Sequence, residues 1–300
     1  MTTTRVAALL LVLPALAGLL GRATASTGAA DVAISTAARA LQPGELVVVT
    51  VAVGGEATQV AVGAFGRSAP AVRIADGLWQ ALVGIDLDQP AGAFPLTAEA
   101  HVAGAVLRDV QSLVVQSKQF GTRRLTVAPD FVNPPPAILA RINREAALLR
   151  DVYARSDAQR LWRAPFVRPV AGAANAAFGV RSIFNGEPRR PHAGADFLSG
   201  AGTPIQAPSG GRIVAARDLF FTGNTVIIDH GLAMFSTLAH LSRIDVREGD
   251  AVVPGQVVGL VGATGRVTGA HLHWAVVVSG ARVDPLSVLA VLGEPDGRRP

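Results

Sequence analysis

Short apolar runs, cut apart by glycine, proline and aspartate, set the tightest limit on what this 300-residue chain can fold into. Leu46 to Val53 is a near-continuous Val/Leu segment, and shorter runs follow at Gln59-Val62, Leu78-Ile85, Phe94-Val102 and Val110-Val115. Their length and spacing fit strands and show little helical period, so the first part reads as an antiparallel β-sandwich of immunoglobulin-like kind. Asn133-Pro134-Pro135-Pro136 then makes a stiff break. From Ala137 to Trp162 apolar residues recur at helical intervals, which predicts one or two amphipathic helices linking two domains. Beyond Pro165 strands return at Ile213-Ala216, Asn224-Asp229, Met234-Leu238 and Val257-Val261, with a last run from Leu272 to Val278 that ends at Ser279-Gly280. Glycines punctuate them, as expected of a compact β fold with a groove over one sheet face. The expected class is therefore mainly β, with a signal segment at 1–25, a sandwich at 26–128, a Pro-rich and helical linker at 129–164 and a second β domain at 165–300.

The first 25 residues belong to neither domain. Arg5 supplies positive charge, Val6 to Leu20 has the length of a secretory apolar region, and Ala23-Thr24-Ala25 offers a small-residue cleavage site before Ser26. An uncleaved anchor is the competing reading, but the stretch is short for a span and contains Pro14 and Gly18. The chain has no cysteine, which excludes disulfides and a lipidated-cysteine anchor. Its formal charge of +5 comes almost wholly from arginine, Lys118 being the single lysine. A basic surface suits an anionic wall polymer and, elsewhere, nucleic acid. Charged residues make up only 16% of the chain and no dense basic run occurs, so no nucleic-acid partner is expected.

The chemistry concentrates in two stretches, Pro191-His192-Ala193-Gly194-Ala195-Asp196 and His271-Leu272-His273-Trp274. In a strand, His271 and His273 project from one face while Leu272, Trp274 and Val276 point into a core. Pro191 and Gly194 argue against a helix around His192 and Asp196, so a loop entering a strand is the expected host. A catalytic zinc site takes three protein ligands from His and carboxylate and leaves a position for water. His192, Asp196 and His273 supply that count and leave His271 over for acid-base work. His230 and Asp229 read as structural, and His101 has no partner in sequence. No H-E-x-x-H helix is present, which excludes the glutamate-base zinc protease design.

Three patterns occur in a fixed order: H-x-x-x-D at His192, A-H-L-S at Ala239-His240-Leu241-Ser242, and G-A-T-G-R-V-T-G-A-H-L-H-W from Gly262 to Trp274. Together they resemble the zinc endopeptidases of the lysostaphin or LytM type, which cut peptide bonds in bacterial peptidoglycan. The likeness covers about the last 135 residues, from Phe184-Asn185-Gly186-Glu187-Pro188 through Ala281-Arg282-Val283-Asp284-Pro285. It implies Zn2+ held by His192, Asp196 and His273, catalytic histidines at His240 and His271, and an antiparallel β-sheet peptidase domain of the duplicated hybrid type. Many members carry Tyr and Glu where this chain has Leu238 and Ala275, a departure that touches substrate preference rather than the ligands. The implied function is a secreted or periplasmic, wall-associated zinc metalloendopeptidase acting on cross-links or stem peptides of peptidoglycan, with no membrane contact after signal cleavage. The alternative is a catalytically weak or inactive wall-binding activator of other hydrolases.

Overall fold

A computed structural model describes residues 31–127, 129–175 and 178–293; the expected signal segment at 1–25 lies outside the described residues. The first seven strands are β1 (Val32–Ala38), β2 (Leu46–Val53), β3 (Ala57–Ala64), β4 (Arg67–Ala75), β5 (Leu78–Gly84), β6 (Gly92–Val102) and β7 (Ala105–Val115). They pair antiparallel in the order β1-β2-β5-β4-β3-β6-β7. β4 belongs to both layers of this sandwich. Its residues up to Pro70 pair with β3 and those from Ala71 pair with β5, so the ribbon folds over at Pro70. A strand that changes sheets at a proline needs no ladder N–H there.

β2 explains its own unbroken apolar sequence. Val47, Val49, Val51 and Val53 face the sandwich core, whereas Leu46 and Val48 face the other way, into the core of the second half. Neighbouring β5 does the same, with Ala81 and Val83 on one side and Leu82 on the other. Both faces are therefore covered from Leu46 to Val49 and from Ala81 to Gly84, and there period-2 polarity disappears. Close approach continues at Gly84, where a Cβ would lie 2.6 Å from Ala281 Cβ.

Residues after the sandwich join the second half directly. β8 (Thr122–Leu125) runs parallel to β9 (Arg181–Phe184), which pairs with β10 (Glu187–Pro188). The helix α1 spans Pro136–Ala154 and starts on proline, whose missing N–H costs nothing in a first turn. It stops eight residues short of Trp162, where the expected helical pattern ends. The buried carboxylate of Asp229 accepts from Ser156 Oγ at 2.6 Å and from the Asp157 N–H at 2.8 Å, which draws the chain into a turn. Leu149, Val152 and Tyr153 of α1 pack on Ala215, Ile227 and Phe235 of the second sheet.

That sheet contains β11 (Gly194–Phe197), β12 (Pro204–Gln206), β13 (Gly211–Leu219), β14 (Gly223–Gly231), β15 (Met234–Ile244), β16 (Ala251–Val252), β17 (Val257–Val261), β18 (Leu272–Val278) and β19 (Ala281–Val283). Its main path is β11-β18-β15-β14-β13-β16, all antiparallel. The closing helix α2 (Pro285–Leu292) is capped by Asp284, whose side chain accepts from the Leu286 N–H. The fold is mainly β, as the sequence predicts. Among the described residues no helix is long and apolar enough to cross a membrane.

Ion pairs fasten the two halves beside the shared strand pair. Asp86 accepts from the Arg282 backbone N–H at 2.9 Å and from its guanidinium at 2.6 and 3.1 Å. Arg39 bridges Glu45 and Asp284 at 2.7 and 2.9 Å. Burial pushes Asp86 up, but the hydrogen bonds from Arg282 outweigh it and hold the carboxylate below its usual range. Asp86→Ala removes the acceptor for three Arg282 donors and is expected to destabilise the protein by about 1–3 kcal/mol, discounted for the partial exposure of Arg282. Urea denaturation at neutral pH measures it, and an unchanged midpoint would refute the fastening role.

Candidate metal centre

Strand register builds the centre. Asp196 on β11 lies directly opposite His273 on β18, and His273 lies opposite Ala239 on β15. Opposed residues of an antiparallel pair share a face, with their Cβ atoms about 5 Å apart. β18 alternates as its sequence predicts: Leu272, Trp274, Val276 and Val278 enter the core and His273 takes the opposite face. His192 approaches from the loop just before β11, as expected.

His192 Nε2 lies 3.0 Å from Asp196 Oδ1, and His273 Nδ1 lies 2.9 Å from the same oxygen. One ligand atom from each of the three residues falls within 4.8 Å of the others. A tetrahedral site with bonds near 2.0–2.1 Å has ligand atoms roughly 3.3 Å apart, so the donor set fits zinc in chemistry and in spacing. Burial pushes Asp196 up, but hydrogen bonds from His192 and His273 prevail and hold it well below the usual carboxylate range. Burial also pulls His273 down. An ionised carboxylate and a neutral imidazole are the forms that bind a metal.

His271 precedes β18, bridged to Gly262, with Nε2 3.8 Å from Asp196 Oδ1. Its Nδ1–H donates to Gly269 O at 2.9 Å. His240 occupies a break in β15. Up to Ala239 the strand pairs with β18, and from Leu241 it pairs with β17. Between these partners His240 adopts φ +68°, a left-handed conformation that side chains other than glycine rarely take. In a regular strand His240 would face away from Ala239 and His273. The break re-aims it, and its ring centroid lies 4.9 Å from that of His271 and 5.9 Å from that of His273. Its Nδ1–H donates to Thr264 O at 2.9 Å, and its backbone N–H to Thr222 O. Burial, then the charge of His273, lowers the His240 pKa to about 4. The structure thus gathers all five residues singled out in the sequence.

Three contributions were not legible there. Gly194 gives room to His273, since a Cβ on it would stand 2.6 Å from the ring. The Thr264 carbonyl fixes His240. Leu125, Val127, Phe131, Leu139 and Ile142 line one side of a groove of about 740 Å³ whose other side holds the histidines. Only the apolar stripe at Leu139 and Ile142 hinted at this wall, and it reads equally as packing.

His230 stays apart. It is fully buried, its Nδ1–H donates to Gly210 O at 2.7 Å, and its Nε2 meets Ser236 Oγ at 2.8 Å. Trp274 Nε1–H donates to that same hydroxyl. The chain of bonds is complete for the neutral ring, and burial lowers its pKa to about 4. Between pH 6.5 and about 4 the unfolded chain binds this proton and the folded chain does not. Stability is therefore lost as pH falls through that window, at up to about 1.4 kcal/mol per unit. Nitrogen NMR of the ring should show a neutral Nδ1–H form down to pH 5; a ring titrating near 6.5 contradicts this. Gly194→Ala is expected to weaken divalent-metal affinity by about 10–100-fold by displacing His273, read by competition with a chelator.

The profile of peptidase family M23 matches residues 190–285. A crystal structure of an M23 peptidase candidate from Pseudomonas aeruginosa is 35% identical, with a TM-score of 0.65, over 85% of this chain and 96% of that one. Among curated relatives, peptidoglycan DD-endopeptidase ShyA of Vibrio cholerae is 43% identical over 96 residues, 32% of this chain and 22% of its own length. ShyC of the same organism, also named a peptidoglycan DD-endopeptidase, is 31% identical over 189 residues, 59% of this chain and 40% of its own. The chain thus spans between about a fifth and two-fifths of the length of these curated relatives.

Proposed function

The chain belongs to peptidase family M23, and from that premise we propose that it is an exported zinc endopeptidase cutting peptide cross-links or stem peptides of bacterial peptidoglycan. The observation that carries the reading is the convergence of His192 Nε2, Asp196 Oδ1 and His273 Nδ1 on one point. The names of ShyA and ShyC support the substrate class. Zinc held by these three residues supplies Lewis acidity and lowers the pKa of a bound water toward neutrality.

The chain's own groups do the rest. Gly269 O and Thr264 O each hold an Nδ1–H, so His271 and His240 keep Nε2 as a free acceptor. A neutral Nε2 beside the ligand set can take the proton of the attacking water. As the new C–O bond forms and the C–N bond breaks, that proton passes to the leaving amine. Charged, the same ring is a donor toward the carbonyl oxygen. The groove orients the peptide across these nitrogens. We further propose the division into a sandwich at 26–128, a linker at 129–164 and a peptidase unit at 165–300, with β8 of the first range pairing in the third. None of the residues that line the groove comes from β1–β7, which supports a sandwich that positions the groove on the wall rather than covers it.

Zinc content per chain, with digestion of purified sacculi before and after chelation, tests the reading. His273→Ala should lose both zinc and activity. His240→Ala and His271→Ala should keep zinc and lose about two to four orders of magnitude in turnover. A zinc-loaded protein that binds sacculi without cutting them would favour the inactive wall-binding role instead.

A further inference from the structure

The groove is strongly one-signed. Arg123, Arg189, Arg190 and Arg266 line it, against a single carboxylate among the described residues, that of Asp196, which the histidines already engage. Arg266 stands out among the four. Its guanidinium lies between two rings, 5.0 Å from the centroid of Phe184 and 4.7 Å from that of Phe221. It is half-buried, and no carboxylate faces it among the described residues. Aromatic faces hold a guanidinium by its plane and leave its in-plane N–H donors unused.

Neighbouring groups sharpen the imbalance. Arg189 donates to Glu187 at 2.6 Å and to Val132 O at 3.0 Å, but its Nε is buried with no acceptor among the described residues. Burial, then the like charge of Arg189, pulls the Arg266 pKa down, so the position disfavours the charge it carries. A guanidinium remains protonated all the same. Two like charges held in a cleft, one with its donor edge unspent, form a receptor for an anion. The place is fixed relative to the chemistry. Arg266 is two residues, at most about 7 Å of chain, from Thr264, whose carbonyl holds His240. Its own N–H is anchored to Phe221 O at 2.9 Å.

We propose that Arg266, stacked between Phe184 and Phe221 and seconded by Arg189, is a specificity-determining subsite that binds a free carboxylate of the peptide substrate close to the bond that is cut. The inference rests on the peptidase reading above and adds an acidic character to the substrate. A neutral peptide would leave the guanidinium unpaired in the groove, and an amide in place of the carboxylate would lose the charge-assisted bonds.

The test uses the full chain loaded with zinc and two cross-linked diaminopimelate peptides that differ only in whether the diaminopimelate carboxylate is free or amidated. The wild type should favour the free acid by about 10–100-fold in kcat/KM, the worth of a charge-assisted pair. Arg266→Met fills the slot between the rings without charge and should bring that ratio close to one, while zinc content and melting temperature stay as in the wild type. Arg266→Lys keeps the charge but not the planar fork and should fall between. In parallel, calorimetry on zinc-free protein compares the affinities of the same two peptides. Equal treatment of the pair by the wild type, or an undiminished preference in Arg266→Met, overturns the inference while cleavage itself upholds the peptidase reading. If neither peptide is cut, the peptidase reading fails, and the calorimetric preference and its loss in Arg266→Met decide the subsite alone.

Discussion

Asp196 faces His273 across β11 and β18, and the rest of the centre is arranged around that one cross-strand pair. A carboxylate taken out of water is costly unless positive or donating groups surround it. Here they come from three directions: His192 from the loop before the strand, His273 from the neighbouring strand, and His271 from the turn before it. A one-residue slip between β11 and β18 would send His273 into the core and bring Trp274 out. Register is held against that slip by Trp274, fully buried and bonded through Ser236 to the neutral ring of His230. The polar row on one face of β18 is thus locked by the apolar and hydrogen-bonded row on the other.

His240 shows the cost of bringing a fifth side chain to this centre. β15 cannot present it while remaining a regular strand opposite β18, because Ala239 already occupies the facing position. The solution is a change of partner strand with a left-handed residue at the junction, a backbone state worth about 1–3 kcal/mol of strain. The loops around it are correspondingly tight. Gly223 and Gly265 pack backbone to backbone, with a Cβ on Gly265 only 2.4 Å from the Gly223 nitrogen, so the Thr222 and Thr264 carbonyls can both reach His240.

Where sequence periodicity carried a physical cause it was readable. The alternation of β18 announced which histidine shared a face with which, and Pro191 with Gly194 announced a loop rather than a helix at His192. Legibility failed where tertiary contacts overrode local pattern. α1 ends at Ala154 because Asp229, more than seventy positions on, accepts from Ser156 and Asp157. β1, nearly half alanine with Ser35 and Thr36, and β4, with Arg67, Ser68, Pro70 and Arg73, lack the run of large apolar residues that marks a strand, yet the ladder of their neighbours recruits them. The groove wall from β8 to α1 escaped notice because parallel pairing of β8 with β9 joins residues some sixty apart. The left-handed state of His240 leaves no trace in the letters Ala-His-Leu-Ser.

The strand pair β2–β5 ties the two halves more tightly than a linker can. Odd-numbered valines of β2 stabilise one core and Leu46 with Val48 the other, so peeling the halves apart would expose the apolar side chains of Leu46, Val48 and Leu82 to water. Domains joined by a chain alone melt one at a time and swing about the join; domains that own a common wall cannot. The sandwich and the metal-binding sheet are therefore coupled through one shared wall, and the place of the groove relative to the sandwich follows from the alternation of one eight-residue strand.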